Sequence, residues 1–298
     1  MATKGRVLIT GIEGFTGSHL AKHMTNQGYM VFGMSLYGAP GEDNIFQVNI
    51  SDMQSVKKVL WEIKPDFIIH LAGISFVPDL NVSRMYEVNV GGTLNILNAC
   101  VELRLSPLKV VIASSATVYG EQSASVLDED MCPAPNSNYA CSKLSMEMMA
   151  RNYFSELEIL IVRPFNYTGP GQASHFLIPK LVEHYVQKKS EIKLGNIDVF
   201  REFNDVRYIC QLYQLALQSE FKSTHVNFCT GYVYSINEII EILSKVTNFK
   251  VTVKINRDLI RAHDIKSLSG STRKLNRTLG KPAIDYSIES TLVSMIED

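Results

Sequence analysis

The feature that most constrains this chain is the rhythm of its first half, where short β-branched runs alternate with stretches of helical period. The runs at 6–10, 30–33, 46–48, 66–71, 109–113 and 158–162 read as strands. Helices are expected from about Gly17, around Met53 to Glu62, through Asn89 to Leu103, and from Tyr139 to Phe154. Apolar strands separated by helices pair in parallel through right-handed crossovers, so an α/β fold with a doubly wound parallel sheet is expected. Beyond Arg163-Pro164 the pattern loosens into a Gly169-Pro170-Gly171 turn, a helix near Phe176 to Lys188 and several short segments. That half reads as a smaller, mixed α/β lobe, with a division at 164/165 and a return to the first half near 204–230.

Composition narrows the function. The formal charge is only -1, with 46% hydrophobic and 20% charged residues, the balance of a folded chain rather than of a polyanion binder, so no nucleic-acid partner is expected. No apolar run approaches the roughly 20 residues of a membrane helix, and Met1-Ala2-Thr3-Lys4-Gly5 lacks the apolar core of a secretory signal. The expectation is a cytoplasmic protein without a membrane partner. Cys100, Cys132, Cys141, Cys210 and Cys229 form no Cys-x-x-Cys pair, so free thiols are expected and no metal site.

Directly after the first strand comes Gly11-Ile12-Glu13-Gly14-Phe15-Thr16-Gly17, followed by a helical run. Between a first strand and a first helix, such glycines let backbone amides and the helix N-terminus approach a pyrophosphate. This is the turn of a Rossmann-type sheet, and NADP(H) or NAD(H) is the cofactor it implies. After the second strand, Gly33-Met34-Ser35-Leu36-Tyr37 carries neither an acid nor an arginine. The absence of an acid to repel a 2'-phosphate leans towards NADP, and Ser35 could donate to either a hydroxyl or a phosphate.

The strand ending at Ala113 runs into Ser114-Ser115-Ala116-Thr117-Val118-Tyr119-Gly120, and 24 residues after Ser115 stands Tyr139-Ala140-Cys141-Ser142-Lys143. A Tyr and a Lys four apart share one helix face. An ammonium about 4 Å from the phenol would favour the phenolate by about three pKa units, letting Tyr139 exchange a proton near neutral pH. Ser115 would hold the reacting oxygen. Spacing alone proves little, since about 0.8 such pairs arise by chance, and Tyr185 and Lys189 form a second one. The second pair follows no serine-bearing strand and reads as ordinary helix.

Together these residues resemble the extended short-chain dehydrogenase/reductase family in its nucleotide-sugar branch, over nearly the whole chain. The resemblance implies a catalytic set of Ser115, Tyr139 and Lys143, with Gly11, Gly14, Phe15, Thr16, Gly17 and Ser35 at the cofactor. It adds His70-Leu71-Ala72-Gly73, whose Leu71, Ala72 and Gly73 would line the cofactor site, and Asn89, which would support the active site. Asn49-Ile50 stands where the family commonly has Asp-Ile or Asp-Leu against adenine. The resemblance also assigns 1–164 to the dinucleotide and 165–298 to the nucleotide sugar.

Arg163-Pro164-Phe165-Asn166-Tyr167-Thr168-Gly169-Pro170-Gly171-Gln172 looks like the family's diphosphate-contacting segment, with Asn166 the contact. The stretch from Gly195-Asn196 to Arg201-Glu202-Phe203-Asn204-Asp205-Val206-Arg207 is similar to that of GDP-4-keto-6-deoxymannose reductases, and Arg261-Ala262-His263-Asp264 resembles an Arg-Pro-x-acid motif. Thr117, Asn166, Lys180, Arg201 and Arg261 are the implied substrate contacts. Sugar 4,6-dehydratases carry an acid one or two places after the catalytic Ser/Thr, where this chain has Ala116 and Thr117, so dehydration is disfavoured. The implied reaction is reduction of a nucleotide-linked 4-keto-6-deoxyhexose, GDP-linked by preference and dTDP- or CDP-linked as alternatives. The runner-up is a nucleotide-sugar 4-epimerase, since 115–120 also resembles UDP-hexose epimerases, and a cofactor-sensing binding protein is a more distant reading. The helices carrying Asn89 to Leu103 and Tyr139 to Phe154 are apolar over much of their surface, and the resemblance, in whose family such a pair forms a four-helix dimer contact, implies a homodimer.

Overall fold

The computed structural model describes residues 3–38, 43–75, 81–256 and 267–298. Its first half runs β1 (Arg6–Thr10), α1 (Phe15–Asn26), β2 (Met30–Ser35), β3 (Ile45–Gln47), α2 (Met53–Ile63), β4 (Phe67–His70), α3 (Val82–Tyr86), α4 (Thr93–Glu102), β5 (Lys109–Ala113), β6 (Val126–Leu127), α5 (Asn138–Ala150) and β7 (Ile159–Pro164). The remainder holds β8 (Tyr167–Thr168), α6 (Leu177–Val186), β9 (Glu191–Leu194), β10 (Phe200–Arg201), β11 (Asn204–Asp205), α7 (Val206–Gln218), β12 (Thr224–Phe228), β13 (Tyr234–Ser235), α8 (Ile236–Thr247), β14 (Thr252–Ile255), β15 (Ser267–Gly270), α9 (Arg273–Thr278) and α10 (Ile288–Ile296).

Seven strands form one parallel sheet in the order β12-β7-β5-β4-β1-β2-β3, with Val7 beside Val31 on one side and Phe67 on the other. The fold is the doubly wound, Rossmann-like sheet that the strand rhythm predicts. Successive residues of each strand point to opposite faces and enter different cores. Val7, Ile9, Ile69, Val111, Leu160 and Val162 pack with α1 and α7 residues such as Leu20, Met24, Ile209 and Leu212. Leu8, Ile68, Val110, Ile112, Ile159 and Ile161 pack with Val56, Leu60, Ile96, Leu97 and Met146 of α2, α4 and α5. Each such aliphatic side chain contributes about 1.5–3 kcal/mol on burial, so neither layer can be stripped without losing the sheet.

Two helices differ from expectation. The helix through Asn89 to Leu103 starts upstream as α3, passes through a π-helical turn at Glu87–Gly92 and continues as α4. Gly91-Gly92 obscures this continuity in the sequence by lowering helix propensity. Tertiary packing overrides it, because a Cβ on Gly92 would lie 2.5 Å from Ile50 Cδ1. The other helix, α5, ends at Ala150 and is followed by a 3-10 turn at Arg151–Tyr153 rather than running on to Phe154.

The later half returns to the sheet through α7 and β12, where Thr224–Phe228 pairs with Leu160–Pro164. Helices α6, α8 and α10 build a separate core in which Leu181, Tyr185, Ile239, Leu243 and Leu292 are buried together. Among the described residues, no helix is long and apolar enough to cross a membrane. Cys100, Cys210 and Cys229 are buried, Cys141 is partly so and Cys132 is exposed, all as free thiols.

Candidate functional site

In this sheet the chain order reverses between β1 and β4, and the carboxyl ends of those strands are where an open α/β sheet leaves a ligand crevice. Gly11 leaves β1 at φ +69°, and a Cβ there would meet Ala72 N at 3.0 Å. A Cβ on Gly17 would fall 2.7 Å from Ile12 Cα, so only glycine lets α1 start this close to β1. Gly14 is the N-cap of α1, and no side chain caps that first turn, which leaves its amides to an anion. The cradle therefore fits a pyrophosphate.

Around this turn the expected cofactor residues separate. Leu71, Ala72 and Gly73 lie across the crevice: Leu71 N donates to Thr10 O at 3.2 Å and Ala72 N to Thr10 Oγ1 at 3.1 Å. His70 is buried and held near a pKa of about 3, first by burial and then by the Lys143 charge, so it is neutral. Thr10 Oγ1 accepts from Ala72 and gives its proton to His70 Nδ1, while Thr93 Oγ1 gives its own to Asn89 O and accepts from Nε2. One tautomer, protonated at Nε2, satisfies the whole chain. Phe15 stacks on Tyr167 at 6.0 Å and Thr16 Oγ1 shares a 2.6 Å hydrogen bond with the Tyr167 hydroxyl, so both tie α1 to β8. Asn49 is exposed, its Oδ1 accepting from Ser51 N, whereas Ile50 is buried against α4 and its carbonyl accepts from Asn95 Nδ2.

At the end of β2, Ser35 is engaged in its own turn. Its hydroxyl is buried and accepts from the amides of Tyr37 and Gly38, so it shapes its own turn. The acid absent from that segment comes instead from the glycine turn, where Glu13 Oε1 accepts from Leu36 N at 3.1 Å. This group was legible only as a residue between two glycines; nothing in its spacing says that it reaches β2.

The serine, tyrosine and lysine converge at the end of β5. Ser137 caps α5 by accepting from Ala140 N at 3.2 Å, which sets Tyr139 in the first turn and Lys143 one turn later. Ser115 caps a 3-10 turn at Ala116–Tyr119, accepts from Thr117 Oγ1 at 2.9 Å and acts on the Tyr139 phenol to lower its pKa. Lys143 is buried, and its Nζ donates to Ala113 O at 2.9 Å. Asn89, in the π turn, accepts from Ile74 N at 2.7 Å and donates to Ser142 Oγ at 3.0 Å, pinning α5 against the loop after β4.

The electrostatics differ from the simple ammonium–phenol pair. Lys143 Nζ stands 6.0 Å from the Tyr139 ring centroid and bonds a carbonyl rather than the phenol. Burial pushes the Tyr139 phenol up to about 12, Tyr167 adds to the rise, and only the Ser115 hydrogen bond opposes it. Lys143 is itself lowered to about 8 by burial, with Glu147 partly restoring it. The expected depression of the phenol is thus overturned: desolvation outweighs the lysine's field at this separation. Below about pH 8 the set is a neutral phenol beside an ammonium.

Beneath lies a buried ion pair that the sequence did not announce. Arg163 of β7 forks the Glu147 carboxylate of α5 at 2.9 and 2.6 Å, and Ser114 Oγ donates to the same carboxylate at 2.5 Å. Arg163 also lies 4.8 Å from the Tyr119 ring centroid. By contrast, Tyr185 is buried in the later core with its hydroxyl on Ile240 O and Ser244 Oγ, so the second Tyr-x-x-x-Lys spacing is structural.

The residues expected to contact substrate lie on several different elements. Thr117 is bonded to Ser115; Asn166 is exposed, and its carbonyl accepts from Asn204 N; Lys180 lies on α6; Arg201 Nη1 donates to Phe200 O on β10. Arg261 lies outside the described residues. Arg207 forks the Asp205 carboxylate and stacks on Tyr286, which makes it a brace of α7. A cavity of about 580 Å³ is bordered by Gln122, Ser125, Phe200, Val233 and Ser267.

A family model described as GDP-mannose 4,6 dehydratase matches residues 8–295. The GDP-6-deoxy-D-talose 4-dehydrogenase of Aggregatibacter actinomycetemcomitans is 33% identical over 98% of this chain and 97% of its own. The GDP-6-deoxy-D-mannose reductase of Pseudomonas aeruginosa is 29% identical over 98% and 96%. The UDP-glucose 4-epimerase of Bacillus subtilis is 25% identical over 92% and 91%. Among solved structures, RMD from Pseudomonas aeruginosa complexed with NADPH superposes with a TM-score of 0.86 at 27% identity, covering 99% of this chain and 98% of that one.

Proposed function

For a chain that belongs to the GDP-mannose 4,6-dehydratase family of extended short-chain dehydrogenases/reductases, we propose an NAD(P)H-dependent reduction of the 4-keto group of a nucleotide-linked 4-keto-6-deoxyhexose, with GDP as the favoured nucleotide. The observation that carries this reading is the convergence of Ser115 after β5 with Tyr139 and Lys143 of α5, one helical turn apart, with no carboxylate at Ala116 or Thr117. Both deoxyhexose relatives are named for chemistry on a GDP-6-deoxy sugar, which supports the substrate class.

The sheet half, 1–164 with the return through 204–230, holds the dinucleotide, and 165–298 the nucleotide sugar. Gly11, Gly14 and Gly17 admit the pyrophosphate, Asn49 and Ile50 border the adenine, and Leu71, Ala72 and Gly73 form the opposite wall. When bound, the cofactor supplies a hydride to the sugar carbon. Ser115 donates a hydrogen bond to the carbonyl oxygen, and Tyr139 then gives that oxygen its proton. A phenol kept protonated by burial is the acid form that reduction requires, and the Lys143 ammonium stabilises the phenolate left behind. Thr117, Asn166, Lys180, Arg201 and Arg261 contact the sugar diphosphate, with the 580 Å³ cavity receiving the nucleoside. Two copies associate through α4 and α5, which expose Val101, Met148 and Met149.

The test is to mix purified protein with NADH or NADPH and GDP-, dTDP- and CDP-linked 4-keto-6-deoxyhexoses, following nicotinamide absorbance and the product by NMR. Oxidation of the cofactor with appearance of a 6-deoxyhexose is expected; no turnover with any of the three rejects the reading. The 4-epimerase alternative rests on the 115–120 stretch and the epimerase relative. It replaces the reductase if the protein retains NAD through dialysis and interconverts C4 epimers without added cofactor.

A further inference from the structure

The fate of Glu13 deepens the dinucleotide reading above and rests on it. Glu13 follows β1 in the glycine turn, yet its Oε1 accepts from Leu36 N, the first residue past β2. Among the described residues, Leu36 N is the one hydrogen-bond donor to this carboxylate. The end of β2 is where an open sheet of this topology presents groups to the adenosine ribose of a dinucleotide. Glu13 therefore brings a carboxylate to that place by a route the segment after β2 does not show.

The two stretches of sequence that meet at this hydrogen bond carry no cationic Lys or Arg to offset an anion. From Gly33 to Asp52 the sequence contains no lysine or arginine, and neither does the glycine turn or the first turns of α1 up to Lys22. A 2'-phosphate requires cations or donors to offset its charge, whereas ribose hydroxyls are donors that a carboxylate accepts. Ser35, the neutral hydroxyl of that segment, is buried, and its oxygen accepts from the amides of Tyr37 and Gly38. A dianion and a carboxylate about 6 Å apart in water repel by the equivalent of about tenfold in affinity, before the lost hydroxyl–carboxylate hydrogen bonds are counted.

We propose that Glu13 is the cofactor-specificity residue of this chain: its carboxylate, held over the end of β2 by Leu36 N, accepts the adenosine ribose hydroxyls and excludes a 2'-phosphate, making the protein selective for NAD(H) over NADP(H). This reverses the leaning towards NADP that an acid-free 33–37 segment suggests.

The test is direct binding of NADH and NADPH by titration calorimetry, without sugar substrate, to the wild-type protein and to Glu13→Gln and Glu13→Ala. Glu13→Gln retains an oxygen acceptor for Leu36 N and removes only the charge; unchanged circular dichroism confirms that the exposed turn tolerates it. Wild type is expected to bind NADH about tenfold or more tightly than NADPH, with a gap that narrows at high salt because the site is exposed. In Glu13→Gln the gap closes chiefly through tighter NADPH binding, by about tenfold. Equal or tighter NADPH binding by wild type overturns the inference while leaving the dinucleotide reading intact. A gap unchanged in both variants overturns the role of Glu13. Absence of binding of either nucleotide overturns the dinucleotide reading and this inference with it.

Discussion

Tyr139 is placed by local rules and tuned by distant ones. The Ser137 cap and the four-residue spacing put it and Lys143 on one helix face, but the 6.0 Å ring-to-ammonium distance and the burial of Lys143 come from the packing of α5 in the fold. Replacing the tyrosine by phenylalanine removes the hydroxyl proposed as proton donor and leaves the ring. Tyr139→Phe is expected to lower kcat by about 10²–10⁴-fold with dinucleotide affinity nearly unchanged, as steady-state kinetics beside calorimetry would show. On the proposed mechanism the lysine sets the pH limb. Its pKa, lowered from 10.5 to about 8, means that the ammonium supporting the departing phenolate is present below about pH 8 and lost above it. The kcat/KM for reduction should therefore fall above about pH 8 with a one-proton dependence, and Lys143→Met should abolish that limb. For stability the sign is opposite. Between pH 8 and 10.5 the unfolded chain binds more protons than the folded one, so burial of Lys143 becomes less costly as pH rises through that window.

At the scale of elements, two joints carry the site. One is the start of α1, where Gly17 packs against the backbone of Gly11 and Ile12. Gly17→Ala is expected to displace the helix N-terminus and abolish measurable dinucleotide binding by calorimetry while the late core, far from that joint, still melts cooperatively. The other is the α5–β7 ion pair. Glu147 and Arg163 are both buried, so removing one leaves an uncompensated charge. Glu147→Leu should cost about 3–5 kcal/mol in denaturant unfolding, whereas replacing both partners by methionine should cost far less. Ser114 and Tyr119 contact this pair and flank Ser115, so the single variant should also misplace the serine.

In the whole molecule, the exposed apolar positions of α4 and α5 bear on assembly. Val101, Met148 and Met149 are 38%, 53% and 40% exposed. A homodimer through these helices predicts sedimentation at about twice the monomer mass, and Met148→Lys with Met149→Lys should shift it to monomer; a wild-type monomer at every concentration rejects the dimer. The same scale shows where sequence reading stopped. The return through α7 and β12 was placed only coarsely at 204–230, because a lone short strand such as Thr224–Phe228 carries no sign of which sheet it joins. Register with β7 decides that, and it is a long-range property.

What the amino-acid sequence determined is local. Alternating strand and helix periods determine a parallel doubly wound sheet, the glycine spacing a tight turn into α1, and the four-residue interval a tyrosine and lysine on one face, since each depends on neighbours a few residues away. What the tertiary structure decided is everything requiring two distant segments to meet: the ionisation of Tyr139 and Lys143, the pairing of Glu147 with Arg163, and the reach of Glu13 to Leu36. Desolvation and contact across the fold set these, and both are absent until the chain has closed on itself.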